Sequence, residues 1–568
     1  MSPARSAAGG AGGSCRSASG SRNDRMTRAY PDGSAETGVP AGRAGPSAVR
    51  VAPAGGAAET VVVDRRGQIP WLAVSPEQKP IASRSAAELR TQRNAVVELL
   101  RVAPVADEVA RRFEDAGHEL YLVGGSVRDA LLGRLGTDLD FTTDARPEQV
   151  VELLTGWADA IWDTGIEFGT VGATRRGSTL EITTFRADSY DRVTRNPEVV
   201  FGDHIDDDLL RRDFTVNAMA VRLPERRFVD PHDGMTALLE RRLDTPATPE
   251  ESFADDPLRM LRAARFVAQL GFRPAQRVVA AMREMADQLD RITAERVQAE
   301  LSKLLRGPHA RQGVELMVDT GLADRVLPEV PAMRLEIDEH HQHKDVYQHS
   351  LVVLDQAIEL EANDPDQDGP DLVLRMAALL HDIGKPATRK FEAGGGVSFH
   401  HHEVVGAKMT RRRLRELRYS KEFVTQVSQL VYLHLRFHGY GTGQWTDSAV
   451  RRYVTDAGDL LPRLHKLVRA DCTTRNRRKA AALQRSYDEL EERIVRIAAE
   501  EDLQRVRPDL DGNEIMRLLG LPPGPLVGRA WSHLKELRLE RGPLSRDEAE
   551  AELREWARSE GLEPPPAP

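Results

Sequence analysis

Two adjacent glycines, Gly124-Gly125, halt the apolar run Tyr121-Leu122-Val123 and stand directly ahead of a helical pattern, Val127, Ala130, Leu131 and Leu132. A strand that stops at paired glycines and restarts as a helix has few solutions, because the backbone must turn sharply and leave its first helical N–H groups free. Ser126 is expected to cap that helix. Gly124 and Gly125 carry no Cβ, so a ligand can approach closely, and the free N–H groups together with Arg128 suit an anion such as a triphosphate. Gly133 closes the helix, and Asp138-Leu139-Asp140-Phe141 reads as a strand with both carboxylates on one face. Two hard oxygen ligands so placed suit paired Mg2+ ions, roughly 4 Å apart, which activate a hydroxyl and neutralise a leaving diphosphate. Glu181 alternates against Leu180 and Ile182 in a second strand and is the expected third catalytic carboxylate. A lone glycine pair would be an ordinary turn and a lone DxD a solvated strand end; the combination at this spacing is what carries the reading.

GGSVRD at 124–129 followed by DLDF at 138–141 resembles the head of the polymerase β nucleotidyltransferase superfamily, in its class II branch of tRNA nucleotidyltransferases and poly(A) polymerases. The run RRDFTVNA at 211–218 is similar to the RRDFTINA element of that branch, which implies that Arg212 faces the ribose or triphosphate of the nucleotide. Asp230 to Gly234 resembles the hinge between head and neck, although the Asp-Leu pair usual after it appears here as Ala237-Leu238.

Further on, Asp256, Arg259, Arg262 and Arg265 step by three along a helix expected over 256–270, between apolar rows that include Leu258, Leu261, Met260 and Val267. Buried guanidinium groups without partners cost several kcal/mol each, and acids nearby are few, so the row is expected to meet acids or a ligand. The stretch resembles the EDxxRxxRxxR element of the same family, with Asp255 where glutamate is usual. That resemblance implies a protein template: Asp256 and Arg259 read the edge of the incoming base, and Arg262 and Arg265 serve the triphosphate or brace the template. A carboxylate accepts from the exocyclic amine that cytosine and adenine share, whereas uracil and guanine present a carbonyl there. The helix starting at Thr293 is expected to brace the template.

From about 335 histidines accumulate, and His349, His381-Asp382 and Asp471 match the H…HD…D pattern of HD metal-dependent phosphohydrolases. This donor set suits Mn, Fe, Ni or Mg2+, and His402 and His434 could hold a second ion. Lone buried histidines are the alternative for those two.

Length and composition bound the rest. A chain of 568 residues accommodates several domains, and its apolar runs are too short to cross a bilayer. No secretion signal is recognised, and Cys15 and Cys472 offer neither a disulfide framework nor a thiolate metal site, so a cytoplasmic setting is expected. The net charge of −9 argues against a generally basic nucleic-acid protein but hides two basic clusters, one at Arg411, Arg412, Arg413, Arg415 and Arg418, the other from Lys466 to Arg485. Solvated helix faces are the plain reading of both.

The expected fold class is an α/β nucleotidyltransferase head, a mixed sheet with helices, followed by an all-α neck, HD body and tail: a multidomain α+β chain. The expected divisions are a disordered extension at 1–87, the head at 88–245, the neck at 246–330, the HD-type domain at 331–480 and a helical tRNA-binding tail at 481–568. The resemblance implies a CCA-adding tRNA nucleotidyltransferase that extends the tRNA 3′ end from CTP and ATP without a nucleic-acid template, and no membrane association. A poly(A) polymerase of the same branch, an HD phosphohydrolase as the main activity, and an RNA-binding module with an inactive head are the other readings.

Overall fold

The computed structural model describes residues 104–134, 136–186, 201–334, 345–392, 397–437, 445–473, 477–500, 507–563 and 565. The chain divides into two units, Met1–Glu77 and Gln78–Pro568, and every described residue lies in the second. The expected disordered tract at 1–87 lies outside the described residues.

The head is a seven-stranded mixed sheet in the order β3-β4-β5-β2-β1-β6-β7. Its strands are β1 (Leu120–Val123), β2 (Asp138–Thr143), β3 (Ala160–Trp162), β4 (Thr170–Arg175), β5 (Ser178–Thr184), β6 (Ala220–Leu223) and β7 (Arg227–Val229). All pairings are antiparallel except β2 with β5, whose parallel register sets Asp140 directly beside Glu181. Alternation decides which face each side chain takes. Leu139, Phe141, Leu180 and Ile182 enter a core with Val109 and Phe113 of helix α1 (Pro104–Asp115), Val127 of α2 (Gly124–Leu131), and Val150 and Leu154 of α3 (Pro147–Leu154). The carboxylates therefore take the opposite face, part of which is covered by a second cluster that includes Tyr121, Val123, Phe185 and Leu209.

Beyond the sheet the described chain is helical. The neck begins with α4 (Pro249–Asp255) and α5 (Leu258–Leu270), and α6 (Ala294–Leu305) packs on α5. The single helix expected over 256–270 is thus two helices. Asp256 is the extended residue between them, because a proline at 257 disfavours a helical residue before it. The HD region contributes Val346–Ala362, Leu372–Leu380, α7 (His402–Glu416), Lys421–Leu433 and Leu461–Ala470. A helix over Arg477–Glu500 runs through the division expected at 480, and beyond it three helices close a separate core around Ile515, Leu534 and Leu553. Among the described residues no helix is long and apolar enough to cross a membrane.

Candidate active site

The strand–turn–helix forms as expected, with one correction. Helix α2 starts at Gly124 itself, and no side chain caps it. Ser126 is not the cap: its buried hydroxyl accepts the Asp140 N–H at 2.9 Å and donates to the Asp138 carbonyl at 3.3 Å. The serine hydroxyl fastens the carboxylate strand beneath the turn. Gly124 has φ of +66°, and a Cβ there would stand 2.8 Å from Nη1 of Arg212 and 3.9 Å from Oδ2 of Asp140. At Gly125 it would stand 3.5 Å from Nη2 of Arg128 and 3.7 Å from the same Asp140 oxygen. The glycine turn, both arginines and Asp140 therefore share one small space.

Asp140 and Glu181 are cross-strand neighbours, whereas Asp138 occupies the exposed end of β2 beside Thr179. Burial, and then the neighbouring Glu181, raise the Asp140 carboxyl above its ordinary value, with Arg212 and Arg128 opposing. A crowded pair of carboxylates of this kind is relieved by a bound cation, and the hard oxygen donors of Asp138, Asp140 and Glu181 fit Mg2+.

Arg212 is held by the fully buried Asp208, at 2.9 Å, from the short helix Ile205–Leu210. Burial alone would raise the Asp208 carboxyl; Arg212 and then Arg211 hold it below the usual carboxylate range. Arg128 donates to Asn217 Oδ1 at 2.5 Å, and Asn217 in turn donates to Asp213 at 2.9 Å. Asp213 receives Arg262 through two hydrogen bonds of 2.8 and 2.6 Å, and these charges overcome burial and hold its carboxyl well below the ordinary range. Sequence reasoning missed Asp208, Asp213 and Asn217, although two of the three lie inside the RRDFTVNA run.

Two arginines of the α5 row find acids inside the protein, although acids nearby in the sequence are few. Arg262 meets Asp213, and Arg265 lies 2.8 Å from Glu300 of α6, misaligned for a hydrogen bond. Arg265 is buried and stacks at 4.2 Å on Phe266, which pulls it away from solvent and down to about 10 in pKa, chiefly by burial and then by Arg262. Within the protein its side chain meets Glu300 and Phe266. Arg259 donates to the Ser252 hydroxyl at 2.9 Å and to the Arg211 carbonyl at 2.7 Å, tying α5 to α4 and to the head.

A cavity of about 340 Å³ opens between these parts, lined by Arg212, Asp213, Asp256, Arg259, Arg262 and Arg296 among others. Thr183, two residues beyond Glu181 on β5, lies in the same wall and places the cavity next to the carboxylates. Asp256 accepts the Leu258 N–H at 3.2 Å and Arg296 of α6 at 2.7 Å. Arg296 is thus a site residue on a helix expected only to brace; its spacing of four from Glu300 is the signal, since both then face α5.

A second constellation lies in the HD region. His349, His381 and Asp471 form one group, and Asp382, His402 and His434 another, the ligand atoms of each within 4.8 Å of one another. Nδ1 of His381, His402 and His434 lies 2.9, 2.8 and 2.6 Å from the carbonyls of Ala378, Phe399 and Val431. Donation there fixes the tautomer and presents each Nε2 as an acceptor toward the centre. Nε2 of His402 and His434 and Oδ1 of Asp382 are buried without any hydrogen bond. Burial, and then His381, push the His434 imidazole down to about 3, so it stays neutral. Burial opposes ionisation of Asp382, yet His381 holds its carboxyl far below the usual range. Imidazoles and ionised carboxylates that converge, with unspent lone pairs on His402, His434 and Asp382, fit a divalent cation.

Three families match the chain: one described as poly A polymerase head domain over residues 120–244, one as probable RNA and SrmB-binding site of polymerase A over 271–333, and one as HD domain over 346–499. The A-adding tRNA nucleotidyltransferase of Deinococcus radiodurans is 35% identical over 446 residues, covering 77% of this chain and 95% of that relative. The CCA-adding enzyme of Lactobacillus helveticus is 43% identical over 219 residues, 38% of this chain; the match spans about half of that relative, 54%. Among solved structures, that of the Bacillus stearothermophilus CCA-adding enzyme in complex with CTP superposes with a TM-score of 0.55 at 25% identity, covering 80% of this chain and 98% of the other. The Thermotoga maritima CCA-adding enzyme complexed with tRNA shares the fold, with a TM-score of 0.52 at 17% identity over 82% of this chain and 98% of that one.

Proposed function

The chain belongs to the family of tRNA nucleotidyltransferases with a poly(A)-polymerase-type head, and on that premise we propose that it adds C, C and A to tRNA 3′ ends from CTP and ATP. The observation that carries this reading is the joining of the Asp256–Arg259 wall to the Gly124-Gly125 turn and the Asp140–Glu181 pair through Arg212. Arg212 lines that cavity and also reaches Gly124, so a base and its triphosphate can occupy adjoining places. Asp256 accepts the exocyclic amine of cytosine or adenine, and Arg259 donates to the adjoining ring nitrogen or carbonyl. Arg212 and Arg128, with the free N–H groups of α2, hold the triphosphate so that the tRNA 3′ hydroxyl meets the α-phosphate in line. Asp138, Asp140 and Glu181 would hold divalent cations, assigned as Mg2+, which neutralise charge on the attacking and leaving oxygens. Arg262, Arg265 and Glu300 keep the wall rigid. The head is assigned to 88–245 and the neck to 246–330, and the protein to the cytoplasm, where Cys472 stays reduced.

Incubating purified protein with a tRNA ending at the discriminator nucleotide, and with one ending in CC, tests the assignment. CCA addition predicts that the first accepts two C from CTP and then one A. Extension of only the CC-ended tRNA would replace this reading by A addition, the activity named for the deinococcal relative, and long runs of A would replace it by poly(A) synthesis.

The orphaned buried acceptors of the HD region favour a second activity in the same chain, a metal-dependent phosphohydrolase. His349, His381, Asp382 and Asp471 would hold Mn, Ni, Fe or Mg2+, with His402 and His434 completing the donor set, and the ion would supply a hydrolytic nucleophile at neutral pH. Lys385, at 2.5 Å from Asp382, adds a positive charge for a phosphate. Phosphatase assays with each metal, on wild type and His381→Ala, decide it: turnover absent from the wild type with every metal, or insensitive to His381, removes this activity.

A further inference from the structure

The row of the sheet that carries Asp140 and Glu181 continues past them. Register pairs Asp140 with Glu181, Glu181 with Gly172 and Gly172 with Trp162, so the four residues lie side by side across β2, β5, β4 and β3. Alternation puts them on one face, because their chain neighbours Leu139, Leu180, Val171 and Ala173 enter the core and Ile161 packs against it. The indole folds inward along this row, for a Cβ at Gly172 would overlap its ring. Glycine is what admits it. With strands about 4.8 Å apart, a ring over Gly172 stands one strand from Glu181. Trp162 nonetheless belongs to an edge strand and remains 36% exposed, so the core takes little from it.

Sheet order says which substrate meets this ring. β2 stands between β1 and β5, and the Gly124-Gly125 turn that takes the triphosphate follows β1, so the leaving diphosphate lies on the β1 side of Asp140. In-line displacement puts the attacking oxygen on the opposite side of the phosphorus, toward β5 and the strands beyond it. The incoming base already has its place: Thr170 and Thr183, cross-strand partners two residues along from Gly172 and Glu181, line the cavity of the Asp256–Arg259 wall. What is left for the ring over Gly172 is the last base of the RNA being extended, whose 3′ hydroxyl has to reach the carboxylates. That base differs among tRNAs at the discriminator position and is cytosine at the later additions. Hydrogen bonds to base edges cannot serve all of these, whereas every base has a π face and stacks on an aromatic side chain whatever the sequence.

We propose that Trp162 is a stacking platform for the 3′-terminal base of the acceptor RNA, which holds the attacking hydroxyl beside Glu181 and Asp140. This rests on the reading of the chain as a CCA-adding enzyme. The test is CTP incorporation by the full chain into tRNA ending at the discriminator nucleotide, for wild type, Trp162→Phe and Trp162→Leu, each with an ordinary and with an abasic terminal nucleotide. Loss of the stack lowers kcat/KM for tRNA by about 5- to 150-fold in Trp162→Leu, whichever discriminator base is present. Trp162→Phe keeps most of the wild-type value, and KM for CTP does not change in either variant. An abasic end costs the wild type a similar factor and costs Trp162→Leu little more, a non-additivity that a merely structural tryptophan does not produce. Thermal melting checks the fold of both variants. A photoreactive thiouridine at the RNA 3′ end crosslinks to Trp162 in the wild-type protein, mapped by mass spectrometry, and this arm needs no variant. An unchanged kcat/KM for tRNA in folded Trp162→Leu, equal further losses on intact and abasic ends, or a crosslink confined to other residues overturns the inference alone. A raised KM for CTP with tRNA kinetics intact also overturns it and gives the ring to the incoming nucleotide. No CTP incorporation by the wild type overturns the CCA-adding reading and this inference together.

Discussion

Replacing Asp256 by Asn changes one oxygen for an amide nitrogen and leaves the fold a way to keep its local bonds. Oδ1 of Asp256 accepts the Leu258 N–H, and an asparagine oxygen does the same. The other position faces Arg296, whose side chain is half exposed, at 50%, and returns to water at little cost. What changes is the complementarity offered to a base. The carboxylate accepts from the amine of cytosine, while the amide donates to the carbonyl of uracil. Each buried hydrogen bond lost with its partner unsatisfied costs about 1–3 kcal/mol, so preference for CTP over UTP should fall by about 5- to 150-fold. Single-turnover incorporation on a tRNA ending at the discriminator nucleotide gives kcat/KM for each nucleotide, and thermal melting checks the fold. An unchanged CTP/UTP ratio in a folded variant would refute the template role of Asp256.

Gly124→Ala places a methyl group 2.8 Å from Nη1 of Arg212 in a left-handed conformation, and should raise KM for CTP and ATP at least about tenfold, read from steady-state incorporation. Arg262→Met leaves the buried Asp213 carboxylate without its main partner and should destabilise the head and neck by about 3–5 kcal/mol, measured by urea unfolding. Because Asp213 is held below its unfolded value of 3.8, its contribution to stability is fully present above that value and is lost as pH falls through the folded value. Melting temperatures below about pH 4 should therefore fall less steeply in Asp213→Asn than in wild type. His381→Ala should abolish metal retention in the HD region, measured by elemental analysis after dialysis, and leave nucleotide transfer intact.

Short-range signals made much of the head legible. The run from Tyr121 to Phe141 carries its strand, turn and helix in adjacent residues, and alternation around Glu181 was enough to place it on the face of Asp140. Pro257 was an equally local signal that α4 and α5 are separate, and it outweighs the three-residue stepping that draws Asp256 onto the helix. Partners brought in by tertiary packing could not be read. Arg262 meets Asp213 across 49 positions and Asp256 meets Arg296 across 40, and neither periodicity nor composition reports such contacts. Ser126 shows the limit of propensity: a residue type suited to capping instead holds the neighbouring strand, because that strand runs directly beneath it. In the HD region residue types suggested ligands, but only the shared orientation of three imidazoles, set by backbone carbonyls on Nδ1, shows that they converge.

A crystal structure of the protein soaked with CTP and Mg2+ tests the central claim most directly. The account predicts the cytosine amine within hydrogen-bond distance of the Asp256 carboxylate, with Arg259 on the adjoining base atoms and the triphosphate between the Gly124-Gly125 turn and Arg212, beside Asp140 and Glu181. Cytosine bound away from Asp256 and Arg259, or a triphosphate remote from Asp140, would contradict it.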